Sequence, residues 1–413
     1  MSGENTIGLG PLSAIFGRIG ILSFGGPAAQ IALMHRSLVD DHKLLTEKQF
    51  LGALSFCMLL PGPEAMQLAT YSGWRLRGTL GGLIAGLLFV LPGALVILLL
   101  AFAYAAYGQV PLVQAAFLGI KAAVIVIVIQ ALVRIGKKSL DTKTARVLAL
   151  LSFIGIYTAG LPFPLLILAA SIWGFVTTRG TGISPPLPRT AHTLRTGAVW
   201  GALWAAPLLY LYAINAQFLK EIGLFFAKLA VVTFGGAYAV LGYMAQTVVE
   251  AKQWLSPQQM IDALGLAETT PGPLILVTEF VALLAGQLQG GPALALAAGA
   301  TALWMTFTPC FLWIFAGAPY VEWILAKPRL NGALTAITAA VVGVIANLSL
   351  WFALHVLFGT VTQSPVGTLP DLATFQPRAM LLTALAALLL IRLPMLAALP
   401  VMALIGAAIH VIS

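Results

Sequence analysis

The residues with the clearest chemical potential are two cations at equivalent points of two apolar segments. Arg18 lies six residues before a Phe-Gly-Gly string at 24–26, and Lys228 lies six residues before a second one at 234–236. A helix that restarts after such glycines directs unpaired N–H groups and a positive dipole end toward the break. A cation beside a helix N-terminus predicts a binding site for a small anion.

A second string, Pro-Gly-Pro, occurs at 61–63 and again at 271–273. Proline suits the first turn of a restarting helix, and glycine lets a ligand approach the backbone closely. We therefore expect these strings to belong to the same site. The predicted substrate-binding set is Arg18, Phe24, Gly25, Gly26, Pro61, Gly62, Pro63, Lys121, Lys228, Phe234, Gly235, Gly236, Pro271, Gly272 and Pro273.

Each cation in this set also has a simpler interpretation. Arg18 and Lys228 could extend their charged ends to a membrane interface and bind no substrate. Lys121 lies deep in an apolar span at 112–133, where it is either a third contact for the anion or the partner of a glutamate. Cations are rare and usually functional inside membrane helices, which favours the anion site.

Two glutamates and one dipeptide complete the candidate residues. Glu64 directly follows the first Pro-Gly-Pro string and Glu268 precedes the second, so either could carry a proton coupled to transport. The alternative for both is a capping or helix-pairing role. His35 and Arg36 begin a polar loop and predict a cytoplasmic vestibule, with a solvated loop as the alternative.

An internal repeat must position these residues. Both strings recur at an offset of 210 residues, and polar positions such as Thr46 and Ser256 correspond as well. Repeats of this kind determine the fold. The predicted organisation is an N-terminal transport half at 1–178, a linker with an unpaired span at 179–216, and a C-terminal transport half at 217–413.

The composition indicates a membrane protein. The chain is 60% hydrophobic and 8% charged, whereas a soluble domain carries about 25% charged residues. We predict an all-α polytopic membrane protein with broken helices and about 13 hydrophobic segments. The partner is the lipid bilayer and not nucleic acid, because cationic cytoplasmic loops explain the net charge of +9. We expect no cofactor, metal or disulfide, since the two cysteines are isolated.

The charged loops predict opposite orientations for the two halves. In the first half the turn at 75–78 and the loop at 134–146 are basic, whereas the matching stretches at 285–291 and 358–378 carry no net charge. Basic residues concentrate on the cytoplasmic side. The expectation is an inverted-topology repeat in the cytoplasmic (inner) membrane, with the N-terminus inside and the C-terminus outside.

Local signals predict some boundaries. We expect helices at 11–23 and 28–39 separated by the first Phe-Gly-Gly string, and a helix capped by Thr46 with Gln49 as its capping-box partner. A polar linker is expected from Thr178 to Arg195.

The ordered strings resemble a known family. FGGPAAQIALMHR, LSFCMLLPGPEAMQLATY and LFVLPGALV resemble the N-terminal half of long-chain chromate transporters, and TFGGAYAVLGYMAQ and GLAETTPGPLILV resemble the C-terminal half. The resemblance covers nearly the whole chain. It implies export of chromate from the cytoplasm and chromate resistance, with energy from the proton-motive force and sulfate as the chemical look-alike of the substrate.

Other functions stay open from the residues alone. Uptake or exchange of sulfate or another oxyanion is the alternative within transport, because the site chemistry would be the same. A membrane enzyme is disfavoured, since the chain has no HExxH, no GxSxG and no paired carboxylates at ligand spacing. The paired breaks favour alternating access over a channel. The sequence does not determine the oligomeric state, and a homodimer is carried as an expectation.

Overall fold

The computed structural model describes residues 7–180, 190–234, 237–364 and 367–412. Within this part of the chain nearly all regular structure is helical, so the all-α prediction is confirmed. The helices are α1 (Leu9–Leu22), α2 (Gly26–His35), α3 (Glu47–Cys57), α4 (Glu64–Tyr107), α5 (Pro111–Ser139), α6 (Lys143–Tyr157), α7 (Phe163–Thr177), α8 (Thr190–Ala213), α9 (Gln217–Val232), α10 (Ala237–Gln246), α11 (Pro257–Thr269), α12 (Val277–Gly317), α13 (Val321–Leu325), α14 (Pro328–Leu357), α15 (Pro377–Arg392) and α16 (Met395–Ile412).

Shorter elements join these helices. Helices α2 and α10 each run into a π-helical turn, Arg36–Asp41 and Thr247–Ala251. Single 3₁₀ turns lie at Leu274–Leu276, Ala318–Tyr320 and Leu372–Thr374. Strands β1 (Val361–Ser364) and β2 (Gly367–Pro370) form an antiparallel hairpin in which Val361 pairs with Pro370.

The helices have the length and surface of membrane spans. Four of them, α4, α5, α12 with its flanking turns, and α14, are long and apolar enough to cross a bilayer. Large apolar side chains are exposed, for example Leu99 at 70% and Ile391 at 76%. Such exposure is unfavourable in water and favourable against lipid. The chain is therefore a multi-pass membrane protein.

Two of the long helices are helical hairpins. Helix α4 reverses at Arg77 and Gly78, and α12 reverses at Gly290 and Gly291, with φ of 63° at Gly78 and 80° at Gly291. Glycine reaches positive φ without steric cost. The arms then pack closely, because a Cβ at Gly286 would lie 2.7 Å from the Cα of Ala295. These reversals confirm the turns predicted at 75–78 and 285–291.

Matching capping boxes start α3 and α11. The Thr46 hydroxyl accepts a hydrogen bond from the Gln49 N–H at 3.3 Å, and the Gln49 amide oxygen accepts from the Thr46 N–H at 3.0 Å. Ser256 and Gln259 make the same two bonds at 3.2 and 2.9 Å. The predicted Thr46 cap is confirmed, and the second half uses the same device.

One predicted boundary is wrong. Helix α8 begins at Thr190, so the polar linker does not extend to Arg195. Polar residues alone do not end a helix, and 190–195 contains no glycine or proline. The loop at 358–378 contains the β1–β2 hairpin, whose second strand begins at Gly367 with φ of 120°. The remaining linker residues, 181–189, lie outside the described residues.

The chain forms two compact units that do not coincide with the two sequence halves. Unit 1 contains Met1–Ala101, Arg179–Ala237 and Thr270–Leu330; unit 2 contains Phe102–Thr178, Tyr238–Thr269 and Asn331–Ser413. In unit 1, α12 packs against α8 and α9, and in unit 2, α5 packs against α11, α15 and α16. Each unit combines segments of both halves. The repeat boundaries at 178 and 217 describe sequence correspondence and stay a prediction.

Candidate functional site

The predicted helix breaks are present at all four strings. Helix α1 ends at Leu22 and α2 begins at Gly26; α3 ends at Cys57 and α4 begins at Glu64. In the second half α9 ends at Val232 and α10 begins at Ala237, while α11 ends at Thr269 ahead of the 3₁₀ turn at 274–276. Gly235 and Gly236, two of the predicted binding residues, lie outside the described residues. Phe234 and Phe24 are half-buried.

The breaks within unit 1 are hydrogen-bonded to each other in a reciprocal way. The Gly62 N–H donates to the Thr233 carbonyl at 2.8 Å, and the Gly272 N–H donates to the Ser23 carbonyl at 2.8 Å. The donors Gly62 and Gly272 are 210 residues apart, and so are the acceptors Ser23 and Thr233, so the two bonds are equivalent under the repeat. Each half thus satisfies backbone groups that the broken helix of the other half cannot satisfy internally.

Two buried glutamines complete this backbone pairing. The Gln30 amide donates to the Gly272 carbonyl at 2.6 Å, and the Gln67 amide donates to the Pro61 carbonyl at 2.7 Å. The Oε1 atoms of both glutamines are enclosed and accept no hydrogen bond from any described group. At the offset of 210, valines occupy the corresponding positions 240 and 277, so the glutamines are specific to the first half.

Close packing holds the Pro-Gly-Pro strings in place. A Cβ at Gly93 would collide with the Pro271 carbonyl, and a Cβ at Gly62 would lie 3.1 Å from the Cys310 sulfur. Gly93 and Cys310 each follow a proline inside a helix, Pro92 and Pro309. Bulkier residues at these positions would displace the strings.

Only some of the backbone N–H groups at these breaks can therefore face an anion. The N–H groups of Gly62 and Gly272 are occupied by carbonyls and do not face a ligand. At α2 the N-cap is Gly25, in the left-handed conformation at φ 87°, and no side chain caps the helix. Among the described helix starts at these breaks, the first turn of α2 is therefore the one best suited to bind an anion.

The two symmetric cations lie on exposed helix faces of unit 1. Arg18 on α1 and Lys228 on α9 are both exposed, each just before a break. Their equivalent placement agrees with the sequence repeat. Exposure fits an aqueous cavity and an interface equally, so anion binding by Arg18 and Lys228 stays a prediction.

Lys121 has a carboxylate partner in unit 2. Its Nζ lies 3.1 Å from Asp262 Oδ1, and the Tyr104 hydroxyl donates to Asp262 Oδ2 at 2.7 Å. The side chains of Lys121 and Asp262 are 16% and 6% exposed. The pairing alternative is thereby supported, although the partner is an aspartate and not a glutamate. Substrate contact by Lys121 stays a prediction.

The two predicted proton carriers have different environments. Glu268 is buried in unit 2 and accepts a hydrogen bond from the Tyr238 hydroxyl at 2.9 Å. Glu64 is half-buried in the first turn of α4 in unit 1, where the helix dipole favours its charge.

Two further buried carboxylates, Asp262 and Glu279, were not selected from the sequence. Both lie within apolar helical segments, and Glu279 is the only charged residue between Glu268 and Glu322. A lone charge in a long apolar run is itself a functional signal. That signal was present in the sequence, but only the structure shows which partners each carboxylate has.

The predicted vestibule pair begins the first π-helical turn. The His35 ring is 2.6 Å from Glu47 through Nε2 and 3.4 Å from Asp40 through Nδ1. The hydrogen bond to Glu47 and the two negative charges raise the pKa of His35 above its usual 6.5. Arg36 is exposed. A vestibule role for both residues stays a prediction.

Paired broken helices inside a multi-pass helical protein are the arrangement found in secondary transporters. The family model described as "Chromate transporter" matches residues 11–175 and 220–411, and the chain belongs to this family. The members are transport proteins and not enzymes.

Named relatives agree with this assignment. The chain is 33% identical to the "Chromate transport protein" of Pseudomonas aeruginosa over 81% of its own length and 78% of the relative. It is 31% identical to the "Chromate transport protein" of Cupriavidus metallidurans over 82% and 81% of the two chains. The "Probable chromate transport protein" of Synechococcus elongatus is 29% identical over 81% and 82%. No solved structure matches the chain.

The Lys121–Asp262 pair predicts a strong dependence of stability on charge balance. Lys121→Met leaves the buried Asp262 unpaired and should lower the free energy of unfolding by about 3–5 kcal/mol. The double variant Lys121→Met, Asp262→Leu removes both charges and should recover most of this loss. Thermal unfolding in detergent measures both. A double variant as unstable as the single one would contradict the pairing.

The raised pKa of His35 predicts a loop that loosens in alkali. Because the pKa of His35 is raised in the folded state, its ion pairs stabilise the loop fully below the unfolded pKa of about 6.5, and this stabilisation is lost as pH rises through the folded pKa. We expect a cysteine at Ser37 to react faster with a thiol reagent above the folded pKa, by more than thiol ionisation alone explains. The His35→Gln background should lose this additional increase in reaction rate, whereas His42→Gln, at an exposed site in the same loop, should retain it.

Proposed function

We propose that this protein exports chromate from the cytoplasm by secondary active transport and so confers chromate resistance. The observation that carries the proposal is the reciprocal hydrogen bonding of two broken segments in a chain of the chromate transporter family. Broken helices at the centre of a transporter provide the substrate site, and dipole ends with cations suit a tetrahedral dianion. The relatives named as chromate transport proteins support chromate as the substrate.

The proposed anion site lies in unit 1, around the breaks. The first turn of α2, which begins after Gly25, would supply N–H groups, and Arg18 and Lys228 would supply charge. The Pro-Gly-Pro strings would shape the site and not donate to the anion, because their glycine N–H groups hold the backbone exchange. A preformed backbone site costs little reorganisation when the anion binds.

The proposed topology is an inverted repeat in the cytoplasmic membrane. Contacts within unit 2 support it. The Tyr157 hydroxyl donates to the Thr368 carbonyl at 2.8 Å, which joins two segments expected outside. A Cβ at Gly174 would collide with the Gly332 carbonyl, which joins two helix ends expected inside.

The proposed energy source is the proton-motive force, with protons exchanged for the anion through Glu64 or Glu268. Glu268 is buried and accepts a hydrogen bond from the Tyr238 hydroxyl, and a buried carboxyl group of this kind would be able to carry a proton. The membrane potential alone already drives a dianion outward by about 2.3 kcal/mol per charge per 100 mV. Proton exchange would restrict leakage of other anions by the same path.

The topology predicts labelling from opposite sides. Single cysteines at Ser139, at the end of α5, and at Ser364, in β1, should react with an impermeant thiol reagent from the inside and the outside respectively. Intact cells and inverted vesicles provide the two arms, in a background without Cys57 and Cys310. Labelling of both positions from one side would exclude the inverted repeat.

The anion site predicts matched effects in the two halves. Arg18→Gln and Lys228→Gln should each weaken chromate binding roughly ten- to a hundred-fold, the cost of about 1.5–3 kcal/mol for a lost charged hydrogen bond. Binding to purified protein is measured by calorimetry, with Lys220→Gln on α9 as the control cation. Unchanged affinity in both variants would refute the site, and an effect in only one half would show that the halves have diverged.

Flux measurements test the function as a whole. Inverted vesicles should accumulate chromate, and with the potential clamped by valinomycin and potassium an acid interior should accelerate uptake. Glu64→Gln or Glu268→Gln should abolish this response while anion binding persists. Wild-type flux that ignores the pH gradient would exclude proton coupling. Sulfate flux without chromate flux would favour the oxyanion alternative.

A further inference from the structure

Unit 1 contains a buried carboxyl group, that of Glu279, close to the second Pro-Gly-Pro string. Glu279 lies in the first turn of α12, six residues after Pro273 of the second break, and its side chain is 3% exposed. Its Oε2 atom is fully enclosed and accepts no hydrogen bond from any described group. Among the described residues no basic side chain forms an ion pair with it.

The segment that carries Glu279 is buried and mostly apolar. All residues from 271 to 286 are buried, so this first arm of α12 is enclosed around its whole circumference. The second arm returns against it, with the Thr306 and Thr278 hydroxyls 3.5 Å apart. Cations that could neutralise a carboxylate are therefore absent from the described contacts of this arm.

Charged and titratable groups do occur on the helices that pack against α12. They are Glu64, Tyr71, Arg75 and Arg77 on α4, Arg195, Tyr210 and Tyr212 on α8, and Lys220, Glu221 and Lys228 on α9. Two of these have partners of their own. Lys220 lies over the Tyr212 ring at 5.2 Å, and Glu221 accepts from the Gln217 amide at 3.1 Å. The second arm of α4 within unit 1, residues 79–101, carries no charge.

An ionised carboxylate in such a place is strongly disfavoured unless it gains a partner. Glu279 is therefore neutral in the enclosed arrangement, and it can release its proton only when water reaches the start of α12. The other buried carboxylates differ. Asp262 is neutralised by Lys121, and Glu268 has the Tyr238 hydroxyl. Glu279 is thus the carboxyl whose protonation depends most on opening of the protein.

We propose that Glu279 is a further proton-binding site of the transport cycle, which acts in series with Glu64 or Glu268. This inference rests on the proposed function and adds a carboxyl group to its proton path. The break at 271–273 is held to Ser23 through the Gly272 N–H, so a change at the anion-binding break would be transmitted through the 3₁₀ turn at Leu274–Leu276 and the first turn of α12 to Glu279. Water admitted on one side takes the proton, and water admitted on the other side returns it.

The first test is chromate flux in proteoliposomes with the potential clamped and the pH gradient varied. Glu279→Gln keeps the shape of the side chain and cannot ionise. We expect the ratio of flux with and without the gradient to fall to one in Glu279→Gln, while chromate affinity changes less than three-fold. Glu279→Asp should retain a response. Glu221→Gln, on α9 of the same unit and outside the proposed machinery, should behave like the wild type.

The second test reads the proton without transport. Dicyclohexylcarbodiimide adds to protonated carboxyl groups in apolar surroundings, and peptide mass spectrometry locates the adduct. We expect an adduct at Glu279 of the intact wild-type protein that decreases as pH rises, and none at this position in Glu279→Gln. This arm needs no variant to fold.

The outcomes separate the two levels of the proposal. A preserved gradient response in Glu279→Gln, or a wild-type protein without an adduct at Glu279, overturns the role of this residue and leaves chromate export standing. A wild-type protein that does not transport chromate overturns the proposed function itself. Chromate transport that ignores the pH gradient in the wild type overturns proton coupling and, with it, the role of Glu279.

Discussion

The structure depends on how a membrane protein satisfies backbone groups at a broken helix. Hydrocarbon offers no hydrogen-bond partners, so an interrupted helix is stable only where other protein groups or a polar cavity meet its free N–H and carbonyl groups. Here the two halves solve this problem for each other, through Gly62 with Thr233 and Gly272 with Ser23. Neither half can form its break alone in this way. The repeat is therefore a physical requirement of the site as well as a record of its origin.

A second constraint is the cost of buried charge. Three buried carboxylates in the described residues have different partners. Asp262 pairs with Lys121, Glu268 accepts a hydrogen bond from the Tyr238 hydroxyl, and Glu279 has neither kind of partner. Pairing fixes the charge state and holds helices together, as Lys121 and Asp262 join α5 to α11. A carboxyl without compensation responds to water access instead.

The two halves share a frame and differ in detail. Reversals at Gly78 and Gly291, the capping boxes and the backbone exchange are common to both. Gln30, Gln67, Lys121 and Glu279 have no polar counterpart of the same type in the other half. A symmetric frame can support two equivalent conformations of the transporter, whereas the asymmetric polar residues can distinguish substrate and coupling ion.

The sequence by itself determined the membrane class, the breaks and the reversal turns, because these follow from local composition and from glycine and proline strings. It also marked Arg18 and Lys228 as equivalent through the repeat. Tertiary structure decided the partners: Asp262 for Lys121, Thr233 for Gly62, and none of the described groups for Glu279 Oε2. These contacts join residues 141 to 171 positions apart, beyond the reach of any local pattern. Periodicity reports which face of a helix is apolar, but only packing selects the group that meets a buried charge.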